Sequence, residues 1–300
     1  MTLNVTLPAI IFAVVLLISF AGCDRVFGLT EITPTVPAID SATGKDGTTI
    51  TLVWHWDGMP DHYQFERKDA DGNIVNFDSP SPAVPFDDTG LAPATTYTYR
   101  VRGVLSNGDT SSWSSPVMGT TLPFTSAYSK PLTSTEGGWE GYTLVLRIEA
   151  AHLNATGPHV RVTVQAALPN GASIDRIYIS QASPTGNPWD SASDLTAIYD
   201  LAANQNQPFI VPAGAPNPLP IIPYTINKFQ ALLIAVDFTP SSTSSVEAAP
   251  SIPTSEASTY YLQTAMGEAA LQTRSPGFIL DAGTQPMTSL VTFITNIEVG

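Results

Sequence analysis

The chain is organised by alternation of apolar and polar positions with a period of two. In TTITLVWHWDG, residues 48–58, Ile50, Leu52 and Trp54 share one face while Thr49, Thr51 and Val53 fall between them. That is the pattern of a half-buried strand, and it places Trp54 in a core and His55 toward solvent. HYQFERKDADGNIV repeats the pattern with Tyr63 and Phe65, then reaches Asp69, Asp71, Gly72 and Asn73. A calcium loop of the helix-loop-helix kind needs glycine at its sixth position and an acid at its twelfth. Here glycine is fourth and Pro80 is twelfth, so the segment reads as a hairpin turn.

Further strands are expected at residues 143–150, 160–166, 174–180, 195–199, 231–238, 259–263 and 290–299. Val160, Val162 and Val164 alternate with Arg161, Thr163 and Gln165, which suits an antiparallel sheet with one wet face. FQALLIAVDF, residues 229–238, is a continuous apolar run, as in a central strand covered on both sides. VPAGAPNPLPIIP, residues 211–223, holds too much proline for a central strand and reads as an extended surface crossing. The Ser/Thr/Pro/Ala-rich residues 239–258 read as an exposed loop.

Composition agrees with an all-β chain: only 13% of residues are charged, with 21 glycines and 26 prolines. At 300 residues the length suits two domains. A net charge of -14, from 12 basic against 26 acidic side chains, gives no means of gripping phosphates, so no nucleic acid partner is expected. The single cysteine, Cys23, excludes an internal disulfide. It ends an apolar run, residues 7–22, shorter than the ~20 residues that span a bilayer and long enough for the core of a signal peptide.

Phe20, Ala21, Gly22 and Cys23 resemble the lipobox of bacterial lipoproteins, two small residues before an obligatory cysteine. Phe20 stands where that family usually has Leu, and residues 1–22 carry no charged side chain. The resemblance implies that residues 1–22 are a signal peptide and that Cys23 receives a diacylglyceryl group and starts the mature chain. It also implies that residues 23–32 form a tether and that the protein is exported to the cell envelope, with Asp24 matching the inner-membrane retention signal of enteric members.

Residues 33–121 resemble fibronectin type III modules. Leu91, Pro93 and Tyr97 match the Leu-x-Pro-x-x-x-Tyr approach to the sixth strand, Trp54 matches the second-strand Trp, and Tyr99, Val101 and a strand at Ser112, Trp113 and Ser114 continue the match. The resemblance implies that Tyr97 forms a tyrosine corner, its hydroxyl returning to nearby backbone. Such modules are mostly spacers or binding modules. Residues 122–300 read as a second, larger, jelly-roll-like β-sandwich. Within them, across residues 142–299, the order VRVTVQA, SIDRIYISQAS, GNPWD, FQALLIAVDF and NIEV resembles sandwich modules of bacterial surface proteins and of phage tail or virion proteins, which implies attachment or assembly rather than chemistry.

Motifs for chemistry are sparse. His55/His62 and His152/His159 are each spaced by seven with no matching Cys, His or acid spacing, so no metal site is expected. No Gly-x-Ser-x-Gly turn occurs. Glu136, Glu140, Glu149 and Asp175 are candidate glycosidase carboxylates, defined only by separation in space. Trp56, Trp113, Trp139, Trp189, Tyr260 and Tyr261 are candidate glycan platforms, with Trp189 first because acids Asp190 and Asp194 lie close in GNPWDSASD. The reading is a non-catalytic envelope lipoprotein with no cofactor, lifting a glycan- or protein-binding sandwich on a fibronectin type III spacer. Alternatives are a phage virion or extracellular attachment protein, and a polysaccharide hydrolase or its accessory subunit.

Overall fold

The computed structural model describes residues 36–79, 84–263, 267–282 and 287–300. The expected signal peptide, Cys23 and the expected tether lie outside the described residues. Among the described residues the chain is all-β, its helical content limited to the 3-10 turns Ala150–His152, Leu201–Ala203 and Glu268–Ala270.

The first sandwich contains β1 (Ala38–Gly44), β2 (Ile50–His55), β3 (His62–Lys68), β4 (Ile74–Ser79), β5 (Phe86–Asp88), β6 (Thr96–Val104) and β7 (Val117–Thr120). One sheet runs β1-β2-β5 and the other β4-β3-β6-β7, all antiparallel. This is the seven-stranded, two-sheet arrangement that the fibronectin type III resemblance implies. The alternation along β2 buries Ile50, Leu52 and Trp54, and the Trp54 ring meets Phe65 edge-on at 4.9 Å. Tyr97 makes the expected corner: its hydroxyl accepts a hydrogen bond from the Ala92 amide at 2.9 Å. The β3–β4 hairpin turns at Asp69 to Asn73, where an Asp69 oxygen accepts from the Asn73 amide at 2.8 Å and Gly72 takes φ 89°. Asp88, 7% exposed, accepts two hydrogen bonds from Arg67 Nη1, at 2.8 and 2.9 Å, and one from the Tyr99 hydroxyl at 2.9 Å.

Ser112, Trp113 and Ser114 are not a strand. The Ser114 and Ser111 hydroxyls accept from the amides of Val101 and Gly103, both at 3.0 Å, and so take the place of the carbonyls a strand would offer β6. The Trp113 ring lies against the guanidinium groups of Arg102 and Arg100, 4.5 and 5.7 Å away.

The second sandwich contains β8 (Thr125–Ser129), β9 (Ser134–Gly137), β10 (Tyr142–Ile148), β11 (His159–Gln165), β12 (Ala172–Gln181), β13 (Thr196–Asp200), β14 (Phe209–Val211) and β15 (Pro216–Pro218). It continues with β16 (Ile222–Pro223), β17 (Leu232–Phe238), β18 (Ser245–Pro253), β19 (Ala257–Gln263), β20 (Ile279–Leu280), β21 (Thr288–Thr292) and β22 (Ile294–Val299). One layer is the sheet β13-β12-β17-β10-β19-β20, with β14 at the end of β12. The facing layer is made of β15-β11-β22-β8, with β16 also on β11, and of β21-β18-β9. Leu144, Ile177 and Ile234 of the first layer share one core with Val162, Ile297, Val246 and Val291 of the second. Each such fully buried side chain contributes about 1.5–3 kcal/mol, so this core fixes both layers.

All seven residues of β17 are buried, as the apolar run predicts. Leu232, Ile234, Val236 and Phe238 face the main core, while Leu233 and Ala235 face a smaller cluster on the outer side with Val145, Ala182, Ala269 and Phe278. The proline-rich residues 211–223 supply only the short edge strands β15 and β16.

Two expectations are corrected. Residues 239–258 are not an exposed loop, because β18 runs through their middle and buries Val246, Ala248, Ala249 and Ile252; small Ala and Ser side chains fit between the layers there. Residues 290–299 are not one strand. Phe293, at φ 71°, turns the chain from β21 into β22 so that it passes between sheets, and its buried ring meets Phe238 at 5.5 Å.

Candidate functional site

The sequence EGGWEGY, residues 136–142, links β9 to β10. Gly138 and Gly141 take φ 81° and 73°, which lets the chain turn within three residues, and the Tyr142 amide closes the turn on the Trp139 carbonyl at 3.1 Å. The turn therefore gathers Glu136, Trp139 and Tyr142 at one end of the sandwich. Tyr261 arrives from β19, where it pairs with Leu144 of β10, and packs diagonally across the strands against Tyr142. Asp281 follows β20, whose Ile279 pairs with Tyr261, and its amide donates to the Thr259 carbonyl at 2.8 Å.

These residues line a cleft of about 180 Å³ whose walls are Glu136, Gly137, Gly138, Trp139, Tyr142, Tyr261 and Asp281. A second hollow of about 270 Å³, lined by Tyr142, Tyr261, Leu262, Gln263 and Ile279, shares the two tyrosines with the first. The ring centroids of Trp139, Tyr142 and Tyr261 are 5.8, 6.0 and 6.0 Å apart pairwise, with interplanar angles of 73°, 88° and 62°. Trp139 is only 6% exposed. Among the described residues, its buried Nε1–H and the buried Oδ2 of Asp281 have no hydrogen-bond partner.

Burial, and secondarily the charge of Glu136, push the Asp281 carboxyl up to about 6, and burial raises Glu136 as well. Both carboxylates therefore stand in a poorly solvated, aromatic-walled space. Convergent carboxylates with raised titration beside aromatic rings make this cleft the candidate binding or reaction site.

The site favoured by sequence is dispersed. Tyr260 and Tyr261 point to opposite faces of the sheet, as neighbours on a strand must. Tyr260 joins Trp189 and Phe278 in the outer cluster, with Trp189 5.4 Å from Tyr260 and 5.5 Å from Phe278 in a stacked arrangement. Trp189 is thus half-buried packing rather than an open platform, and its carbonyl accepts from the buried Arg274. Asp190, 4% exposed, accepts from the amides of Asn187 at 2.8 Å and Arg274 at 2.9 Å. Asp194 accepts from the Gln181 amide at 3.1 Å and the Tyr224 hydroxyl at 2.6 Å. Both acids are spent on hydrogen bonds that tie the loop to β12, Tyr224 and Arg274, and no group of three or more potential metal ligands occurs among the described residues.

Of the other candidate carboxylates, Glu140 accepts from the Ser244 amide at 3.2 Å, Glu149 pairs with Arg147 at 2.6 Å and Asp175 accepts from the Thr239 hydroxyl at 2.6 Å. His55 and His62 sit beside Asp40 and Asp61 at 2.7 and 3.0 Å, and the His159 ring meets the Thr48 hydroxyl at 3.1 Å. Glu136, Trp139 and Tyr261 are separate candidates in the sequence. Asp281, brought from 145 positions downstream of Glu136 by the β19–β20 pairing, carries no local signal.

No family model matches the chain. It is 29% identical over 188 residues to Endoglucanase B of Cellulomonas fimi, a match that covers 59% of this chain and 18% of that protein. The chain thus spans less than a fifth of the curated relative. Similar solved structures include a two-domain fibronectin type III segment from chicken tenascin, 11% identical, covering 87% of this chain and 99% of that one with a TM-score of 0.25. They also include a carbohydrate-binding module of the β-sandwich superfamily, 12% identical, covering 71% of this chain and 96% of that one with a TM-score of 0.25.

Proposed function

We propose that this protein is an exported, non-catalytic glycan-binding protein, anchored through lipid on Cys23, in which the first sandwich is a spacer and the second holds a saccharide in the Trp139–Tyr142–Tyr261 cleft. The observation that carries this reading is the cleft itself. Aromatic walls suit the C–H faces of a sugar ring, and the unpartnered Trp139 Nε1–H and Asp281 Oδ2 await a ligand's hydroxyl groups. The smaller hollow has the size of one sugar residue and the second extends it past the tyrosine pair. The partial likeness to an endoglucanase supports a setting of polysaccharide recognition.

The test is affinity electrophoresis and calorimetry on soluble polysaccharides, with Tyr261→Ala as the variant. Retention by at least one polysaccharide, lost in Tyr261→Ala with the fold intact, is expected. Equal migration of both proteins in every gel would overturn the reading.

One observation favours a second reading. Glu136 and Asp281 are two carboxylates in one cleft, both titrating high, as a hydrolase's acid and its partner would. Release of reducing ends that disappears in both Glu136→Gln and Asp281→Asn would establish that reading in place of the first.

A further inference from the structure

The cleft is unusual in its charge. Elsewhere in this acidic chain shielded carboxylates either pair with a cation, as Asp88 with Arg67, Glu66 with Arg100, Glu256 with Lys130 and Glu298 with Arg161 at 2.5–2.8 Å, or accept from amides and hydroxyls, as Asp190 and Asp194 do. Glu136 and Asp281 have no such partner among the described residues, and no Lys, Arg or His lines the cleft. Two carboxylates left in a poorly solvated space without a cation are held there at a cost in free energy.

The aromatic trio supplies the complementary half. Three rings about 6 Å apart pairwise and steeply inclined to one another stand at this end of the sandwich, Trp139 buried beneath Tyr142 and Tyr261, which stay partly exposed. A cation within about 6 Å of ring centroids is attracted to each, more strongly where water is excluded. A carboxylate-rimmed aromatic corner of this kind suits an ammonium group better than a neutral hydroxyl and repels a uronic acid.

We propose that the saccharide held here carries a free ammonium group, that is, a glycan containing unacetylated 2-amino sugar, its nitrogen placed between the aromatic corner and the Glu136 and Asp281 carboxylates. This inference rests on the glycan-binding reading. The ammonium supplies three donors, which meet Asp281 Oδ2 and Glu136, while the ring of the same residue occupies the cleft and its neighbour the adjoining hollow.

A pH window follows from both partners. The ligand's amine must be protonated, below roughly 7–8 for an amine flanked by electron-withdrawing groups. The carboxylates must be ionised, which for Asp281 requires a pH above about 6. The titratable groups around that carboxylate are Glu136 from β9, Tyr142 from β10 and Tyr261 from β19, so no neighbouring base displaces the window.

The test titrates the protein by calorimetry at pH 6.5 with four probes: a glucosamine tetramer, its fully N-acetylated form, a glucose tetramer of the same β-1,4 linkage, and tetralysine. The expected result is binding of the glucosamine tetramer at least tenfold tighter than the other three. Asp281→Asn and, separately, Glu136→Gln should reduce that preference to about twofold or less, and a tenfold preference kept in both variants would overturn the inference. Equal or tighter binding of the acetylated or glucose tetramer would overturn the ammonium inference and leave glycan binding standing. Tetralysine binding as tightly as the glucosamine tetramer would overturn the sugar assignment in favour of a site for protein amines. Binding of none of the four, with no polysaccharide retained on gels, would remove the glycan reading and this inference together.

Discussion

Tyr260 and Tyr261 are consecutive in sequence and lie on opposite faces of one sheet, the first packed into the outer Trp189–Phe278 cluster and the second at the rim of the Trp139 cleft. The two side chains therefore do different work. Tyr261→Ala is expected to abolish saccharide retention and, because its ring is partly buried against the main core, to lower stability by about 2 kcal/mol as well, with the fold intact. Tyr260→Ala is expected to lower stability by about 2 kcal/mol, roughly half the cost of removing a fully buried aromatic ring, and to leave retention unchanged. Parallel melting curves and affinity gels decide it, and loss of retention in Tyr260→Ala alone would reverse the assignment.

Trp189 follows the same logic. Its ring covers the outer face of β17 and β19 with Phe278, and its carbonyl helps to hold Arg274. Trp189→Ala should therefore cost about 2–3 kcal/mol in urea unfolding, at the low end for a large aromatic because the ring is half-buried, with saccharide retention intact. Normal stability together with lost retention would show that the outer face binds ligand.

How much of this was legible in the sequence depended on range. Trp54, Tyr63 and Phe65 declare their strands through period-two alternation, and the Tyr97 corner is signalled by Leu91 and Pro93 a few positions away. β18 was missed because Ala248, Ala249 and Ser245 carry little hydrophobic signal, although they fit the space between two sheets better than larger side chains. The site was half-visible: Glu136, Trp139 and Tyr261 stood out as residue types. Their union with one another and with Tyr142 and Asp281 depends on strand pairings that span more than a hundred residues and leave no local trace.

The ion pair between Arg67 and Asp88 offers a test of the first sandwich. Asp88 accepts from Arg67 and from the Tyr99 hydroxyl, and all three side chains are largely buried. Removing the arginine would leave a buried carboxylate with one neutral donor, so Arg67→Ala should destabilise this module by about 3–5 kcal/mol. Replacing both partners, Arg67→Met with Asp88→Leu, should recover much of that loss. Equal losses in the single and double variants, measured by urea unfolding, would show that packing rather than charge pairing is at stake.

The proposed anchor is tested by mass. Intact-mass measurement on protein from host membranes should give a chain that begins at Cys23 and carries a diacylglyceryl group, and Cys23→Ser should lack the addition. An unmodified chain that retains residues 1–22 would rule out lipidation and favour an attachment protein held by its apolar segment.

The cleft carboxylates also give stability a direction in pH. Asp281 titrates at about 6 in the folded chain, against the ordinary carboxylate value of 3.8. Between those values the folded state holds more protons than the unfolded state, so stability falls as pH rises through the window. The contribution is fully present below about pH 4 and lost above about pH 6, opposite to a carboxylate held in an ion pair. Glu136, also raised, adds to the same slope. Asp281→Asn keeps the shape without the charge, so it should stabilise the protein at pH 7 by about 1 kcal/mol, a figure discounted for the partial exposure of the group. At pH 4 it should change little. If an ammonium-bearing sugar is bound, the same mutation should instead lower the melting temperature of the liganded protein at pH 6.5, since the ligand supplies the missing cation. Melting curves of the two proteins, with and without the glucosamine tetramer, therefore separate a carboxylate that only burdens the fold from one that is retained for its ligand.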